Sequence, residues 1–200
     1  KDMLQDQSID KKSFIEMLDM IEQTVVKISK ITNSLKIYAR GIGGENFLSI
    51  SIAQIIENSL ELCDSHLKDN GIKVDCVGLL NQLNIECRRS QISQVLINVL
   101  TNAIDAIATL KDKWIKIALE DDNDCVQIVI CDSGSGIASD IRDKIFDPFF
   151  TTKGIGGGTG LGLSISKGII DDHFGSIAVD PSSANTCFII RLPKLHKRVA

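Results

Sequence analysis

Asn98, Asn102 and Asp105 stand at i, i+4 and i+7 of the segment Ser90–Leu110, in which Val95, Leu96, Val99, Leu100, Ala103 and Ile107 supply the apolar face of a helix. Asparagine is a mediocre helix former, so two on one stripe of an otherwise apolar helix call for a reason. Their carboxamide oxygens can coordinate Mg²⁺, and their amides can donate to phosphate oxygens. The plain alternative is that they hydrogen-bond to neighbouring loops, and these three residues alone do not separate the two.

Three further stretches could do chemistry. Asp132-Ser133-Gly134-Ser135-Gly136 follows a predicted strand. A carboxylate there can accept a hydrogen bond from an exocyclic amine, which would tell adenine from guanine, and the glycines let backbone approach a planar ligand. Ordinary turns also look like Asp-x-Gly-x-Gly. Gly156-Gly157-Gly158-Thr159-Gly160-Leu161-Gly162-Leu163 runs into a helix, where free N–H groups favour anionic phosphate. Its spacing is G-x-G-x-G, not the dinucleotide G-x-G-x-x-G, and no Gly-Lys-Ser/Thr of a Walker loop follows. Between them, Ile145-Phe146-Asp147-Pro148-Phe149-Phe150-Thr151-Thr152-Lys153 suggests a loop pinned by aromatic side chains, although Phe146, Phe149 and Phe150 would serve equally well as core.

The elements that must position these residues are mixed α/β. Residues 47–51 predict a short strand, and Ser51–Asn70 a helix. Ile72–Val77 and Leu83–Cys87 predict strands, and Trp114–Glu120 and Cys125–Cys131 an antiparallel pair turning at Asp121–Asp124. A helix over Leu163–His173 and a hairpin of Ser176–Val179 with Thr186–Leu192 close the pattern. The expected architecture is two layers, with helices on one face of a mixed sheet. Ahead of it, Lys11–Arg40 reads as one long helix with Phe14, Ile21, Ile28 and Leu35 every seven residues and parallel rows beside them, capped by Ser8 or Asp10 and ended by Gly41, Gly43 and Gly44. Such a wide stripe needs partners, and a second copy of the chain is the nearest source; packing on the following domain is the alternative.

Composition narrows the classes. A hydrophobic fraction of 44% and a charged fraction of 24% fit a globular core, and a net charge of −4 gives no support for nucleic-acid binding. No run of about 20 apolar residues spans a bilayer. None of the six cysteines forms a Cys-x-x-Cys pair, so reduced, buried thiols of a cytoplasmic protein are expected rather than a disulfide framework or zinc site.

Taken in order, Asn98-x-x-x-Asn102-Ala103, Asp132-x-Gly134-x-Gly136, Phe146-Asp147-Pro148-Phe149-Phe150-Thr151-Thr152-Lys153 and Gly158-Thr159-Gly160-Leu161-Gly162-Leu163 resemble the N, G1, F and G2 boxes of sensor histidine kinases of two-component systems. Asn102-Ala103-Ile104-Asp105-Ala106 is similar to the nitrogen-regulation type, and Thr186–Pro193 resembles the family's last strand. The resemblance covers Phe47 to about Leu195 and implies the Bergerat ATP-binding α/β sandwich. It implies ATP and Mg²⁺ as cofactors, with Asn102 as metal ligand and Asn98 near the metal and phosphates. Asp132 would read the adenine amino group, with Gly134 and Gly136 shaping the base pocket, and Ile137, Thr186, Asp105 and Ala106 would be further ATP-binding residues. Lys153 and the Gly156–Gly162 segment would form the mobile lid over the phosphates, and Phe149, Thr151, Thr152, Gly158, Thr159, Gly160, Leu161, Gly162 and Leu163 would also be among the ATP-binding residues.

The implied reaction passes the γ-phosphoryl group of ATP to a histidine and then to an aspartate of a response-regulator receiver domain. Residues 1–44 would be part of a dimerisation and phosphotransfer domain forming a homodimer, and 45–200 the ATP-binding catalytic domain, in the cytoplasm or the cytoplasmic part of a membrane sensor. None of His66, His173 and His196 has an acceptor context, so the chain is expected to be a fragment unable to phosphorylate itself. Two departures from the family pattern are Cys87-Arg88-Arg89 before the N-box helix and His173-Phe174-Gly175, where Phe174 lacks glycine's φ freedom and predicts a different turn. The rivals are an ATPase of the gyrase or chaperone type, against which Asn98 replaces the expected glutamate base, and an inactive dimerisation module.

Overall fold

The computed structural model describes residues 13–22, 24–25, 45–79, 83–154 and 158–195. Residues 13–22 and 24–25 are helical and present Phe14, Met17, Leu18, Ile21 and Val25 as exposed side chains. The rest of the expected long helix, its caps and its glycine end lie outside the described residues.

From residue 45 the elements follow the sequence pattern closely. They are β1 (Leu48–Ser51), α1 (Ile52–Asp69), β2 (Lys73–Val77), β3 (Asn84–Cys87), α2 (Arg89–Ile107), β4 (Trp114–Asp122), β5 (Cys125–Asp132), a 3-10 turn (Lys144–Phe146), α3 (Gly162–Asp172), β6 (Ser176–Val179) and β7 (Cys187–Pro193). Ser51 caps α1 by accepting from the Gln54 N–H. The helix α2 ends at Ile107 rather than Leu110. The five-stranded sheet has the order β2-β4-β5-β7-β6, with β2 parallel to β4 and the other pairs antiparallel. Strands β1 and β3 form a separate two-stranded sheet.

Strand parity sets the two layers. Ile115, Ile117 and Leu119 of β4, Val126, Ile128 and Ile130 of β5, and Phe188, Ile190 and Leu192 of β7 all face inward and are buried. The three helices cover that face with Ile55, Ile56, Val95, Val99, Ile107 and Ile170. Each such side chain contributes about 1.5–3 kcal/mol by leaving water.

The expectation of reduced, buried thiols needs correction. Cys131 and Cys187 are not reduced thiols but a disulfide, because they fall opposite each other in the β5–β7 register. Cysteine spacing along the chain cannot show this, since the partners are 56 residues apart. The other four are free, but only Cys63 and Cys87 are buried, Cys76 being exposed and Cys125 half-buried; Cys87 is pushed up to about 12 by burial and by the Glu45 carboxylate. Phe174, in the turn before Ser176, takes the left-handed φ of 57°. Gly175 is the residue that must lack a side chain there, since a Cβ would stand 2.3 Å from the Arg191 carbonyl oxygen. Reducing the disulfide is expected to lower unfolding free energy by about 2–4 kcal/mol, given the long loop it closes. Denaturant melts with and without reductant check this.

His173 is structural, as expected. It is 2% exposed, its Nε2 accepts the Arg88 N–H at 3.1 Å, and its Nδ1 lies 2.7 Å from the Ile169 carbonyl oxygen. The carbonyl can only accept, so Nδ1 carries the proton and the ring is held neutral. The ring also packs on Phe47 at 5.0 Å, which ties the chain entering β1 to the end of α3.

Candidate functional site

Parity places Asp132 last in the inward row Val126-Ile128-Ile130-Asp132, a carboxylate where the pattern calls for an apolar side chain. It is 2% exposed. Burial pushes its carboxyl above the usual carboxylate value, and hydrogen bonds from the Gly134 N–H and the Thr186 hydroxyl partly counter this. The Gly134 N–H reaches Oδ1 at 2.7 Å, and a Cβ on Gly134 would meet that same oxygen at 2.7 Å, so only glycine leaves the carboxylate its seat. Gly136 has φ of 81°, and Asn185 Nδ2 donates to the Gly134 carbonyl oxygen at 3.0 Å. The result is a rigid loop with a buried acceptor at its base. Ile137 beside it packs partly buried against the core.

Away from this loop, α2 meets the start of α3. Asn98 Nδ2 donates to the Gly162 carbonyl oxygen at 3.0 Å and to Ser166 Oγ at 3.1 Å, while its Oδ1 accepts from Gln94 Nε2 at 2.9 Å. It therefore fastens the start of α3. Gly162 has no side chain where Asn98 stands, with a Cβ position 3.7 Å from the Asn98 carboxamide carbon. One turn on, Asn102 Oδ1 accepts from Lys153 Nζ at 3.3 Å, and the same ammonium lies 2.5 Å from Asp105 Oδ2. So the expected stripe divides. Asn98 holds the start of α3, while Asn102 and Asp105 meet the lysine of the aromatic loop.

That loop crosses the glycine-rich segment backbone to backbone. Phe149 takes φ of 68°, and its N–H donates to the Gly160 carbonyl oxygen at 2.9 Å. Thr151 Oγ1 accepts the Lys153 N–H, and a Cβ on Gly158 would meet that hydroxyl at 2.9 Å. Thr159 Oγ1 accepts the Leu161 N–H, and Leu161 is buried as the anchor of the segment. Thr152, Ala106 and the Phe149 ring are exposed, and Leu163 packs partly buried on the core.

Among the described residues no group of three His, Cys, Asp or Glu could cage a metal. A single carboxamide oxygen at Asn102 still fits Mg²⁺, which is usually held by one or two protein oxygens with phosphates and water. Gln94, Ser166 and Asn185 were not singled out from sequence. Gln94 extends the polar stripe by one more i−4 step and could have been found. Ser166 and Asn185 act through partners distant in sequence and could not.

Residues 87–196 match the family model described as histidine kinase-, DNA gyrase B- and HSP90-like ATPase. The C4-dicarboxylate transport sensor protein DctB of Rhizobium meliloti is 32% identical over 181 residues, covering 90% of this chain and 28% of that protein. This chain thus spans under a third of that relative's length. The catalytic domain of histidine kinase ThkA aligns with a TM-score of 0.68 and 36% identity, over 76% of this chain and 97% of that one. A complex of ThkA with the response regulator protein TrrA aligns with a TM-score of 0.71 and 30% identity, over 97% of this chain and 55% of the other. The family model covers more than half of the chain, so the chain belongs to the histidine kinase-, DNA gyrase B- and HSP90-like ATPase family and carries a sensor histidine kinase catalytic domain.

Proposed function

We propose that this site binds Mg-ATP and delivers its γ-phosphoryl group to a histidine side chain, from which it passes to an aspartate of a response regulator. The observation that supports this most is the convergence of Lys153 on Asn102 and Asp105, together with a carboxylate, Asp132, buried at the end of β5. Asp132 accepts from the adenine amino group, and Asn102 Oδ1 is the protein oxygen for the metal. When bound, Mg²⁺ neutralises charge on the β- and γ-phosphate oxygens. Lys153 transfers its ammonium from Asp105 to a phosphate oxygen, and Asn98 holds the lid helix in register. The protein's share of catalysis is positioning and charge.

Asn98 also speaks to the rival ATPase. A carboxamide cannot take a proton from water, and both its donor contacts go to Gly162 and Ser166. Hydrolysis to free phosphate should therefore be slow. Homodimerisation through the N-terminal helix is supported by the exposed apolar side chains of residues 14–25, with 1–44 as the dimerisation part and 45–200 as the catalytic part. The ThkA–TrrA complex supports a receiver domain as the next partner. No described helix is long and apolar enough to cross a membrane, which is compatible with a cytoplasmic location.

Incubation with γ-labelled ATP and a separately supplied acceptor-histidine hairpin tests the reaction. Acid-labile label on the hairpin, with none on this chain alone, is expected. Free phosphate released at a rate indifferent to the hairpin would favour the ATPase instead. Lys153→Met should weaken ATP binding about tenfold or more, since a charge-assisted contact is lost. Stability should change by under about 1 kcal/mol, because the Asp105 pair is partly exposed. Calorimetry and a thermal melt read the two effects.

A further inference from the structure

The Cys131–Cys187 disulfide lies on the sheet face turned away from the helices, since inward Asp132 and Phe188 are the next residues on the two strands. A groove of about 340 Å³ crosses that face and is lined by both cysteines together with Trp114, Lys116, Val129 and Ser183. The two sulfurs are not equivalent. Cys187 is 6% exposed, while Cys131 is only half-buried. Ser183 Oγ stands 3.3 Å from Cys187 Sγ, and a disulfide sulfur carries no hydrogen, so the hydroxyl is the donor. Lys116 brings a positive charge to the same groove, over the Trp114 ring.

We propose that Cys131–Cys187 is a site of thiol–disulfide exchange, opened through this groove by a dithiol reductant, and that opening it slackens the adenine end of the nucleotide cleft. A thiolate of the reductant, drawn by the Lys116 ammonium, attacks the more accessible Cys131 Sγ and forms a mixed disulfide. The protein S–S bond breaks, and Cys187 leaves as a thiolate carrying the electron pair, with the Ser183 hydroxyl donating to it. Cys187 then takes a proton from water. The second thiol of the reductant attacks its own sulfur in the mixed disulfide and releases Cys131, which is protonated in turn. The protein gains two electrons and two protons, and the dithiol becomes its cyclic disulfide.

The link to the cleft is one rung of the ladder. The residues next to the cysteines, Asp132 and Thr186, are joined by the Asp132 N–H to the Thr186 carbonyl oxygen at 2.9 Å, and Asn185 holds Gly134. The disulfide also closes the loop that contains the aromatic segment, the lid and α3. This second half rests on the assignment of the cleft to ATP.

The experiment combines thiol titration with calorimetry. After diamide oxidation, peptide mapping should find Cys131 joined to Cys187, with four thiols titrating in denaturant. After dithiothreitol under native conditions, six should titrate with the far-ultraviolet circular dichroism unchanged. The ATP Kd should rise about three- to tenfold on reduction, as for one loosened hydrogen bond, and return on reoxidation. The Cys131→Ser/Cys187→Ser double variant should keep the reduced value in either buffer. Ser183→Ala should slow reduction about three- to tenfold, and Ser183→Thr should restore the rate. Six thiols after oxidation, reduction only in denaturant, or equal Kd values in the two states would overturn the proposal. If neither state binds ATP, the cleft assignment fails and the slackening with it; the thiol counts and the Ser183 rates then decide the exchange site alone.

Discussion

Asp132→Asn is expected to weaken ATP binding about 10- to 100-fold while leaving the fold at least as stable as the wild type. The two effects come from the same burial. The carboxyl group is 2% exposed and its pKa is raised, chiefly by desolvation. A group whose folded pKa lies above its unfolded value contributes stability that is full below the unfolded value and lost as pH rises through the folded one. At neutral pH the buried charge is therefore a cost, and asparagine removes it. The variant oxygen still accepts the Gly134 N–H, but its amide turns a donor toward the adenine amino donor. Binding runs the opposite way with pH. Affinity is full above the raised pKa and falls as pH drops through it, in a window above the ordinary carboxylate value of 3.8. The ratio of wild-type to variant affinity cancels the nucleotide's own titration. Calorimetry across that window measures the ratio, and a pH-independent ratio would refute the role given to Asp132.

Gly160→Ala should have the second large effect. Gly160 has φ of 66°, and a Cβ there would stand 2.4 Å from the carbonyl carbon of Phe149 and 2.6 Å from its oxygen. Both obstacles are backbone, so no rotamer change relieves them. The crossing of the two segments must part, with loss of the hydrogen bond from the Phe149 N–H to the Gly160 carbonyl oxygen. Left-handed strain and the lost crossing together should cost about 1–3 kcal/mol. ATP affinity should fall more than about tenfold, as the phosphate contacts lose their scaffold. Gly154→Ala is the control, since a Cβ there meets nothing within 4 Å. Limited proteolysis and ATP titration compare the two, and equal behaviour would contradict the crossing's role.

Much of the fold was legible because its signals are local. Alternation in Trp114–Glu120 and Cys125–Cys131 reports one buried sheet face, and Ser51 marks its helix by a contact three residues away. The glycines at 134 and 160 read as room for a ligand, whereas a Cβ at Gly134 would meet the Asp132 carboxylate and one at Gly160 the Phe149 backbone, the second a contact that spacing does not show. What the sequence hid depends on register. Cys131 meets Cys187 only because β5 and β7 align at that rung. Asn98 and Asn102 look alike one turn apart, yet one faces α3 and the other the aromatic loop, a division that only the packing of the helices decides.

The proposed site takes an adenine nucleotide and uses Asn102 for the metal. Calorimetric titration of ATP and GTP into the wild type, with Mg²⁺ and with chelator, and into Asn102→Ala, tests it most directly. One ATP per chain, little GTP binding, an affinity that drops with chelator, and an Asn102→Ala variant that has lost the Mg²⁺ dependence are expected. No ATP binding by the wild type, equal binding of GTP, or full Mg²⁺ dependence in the variant would contradict it.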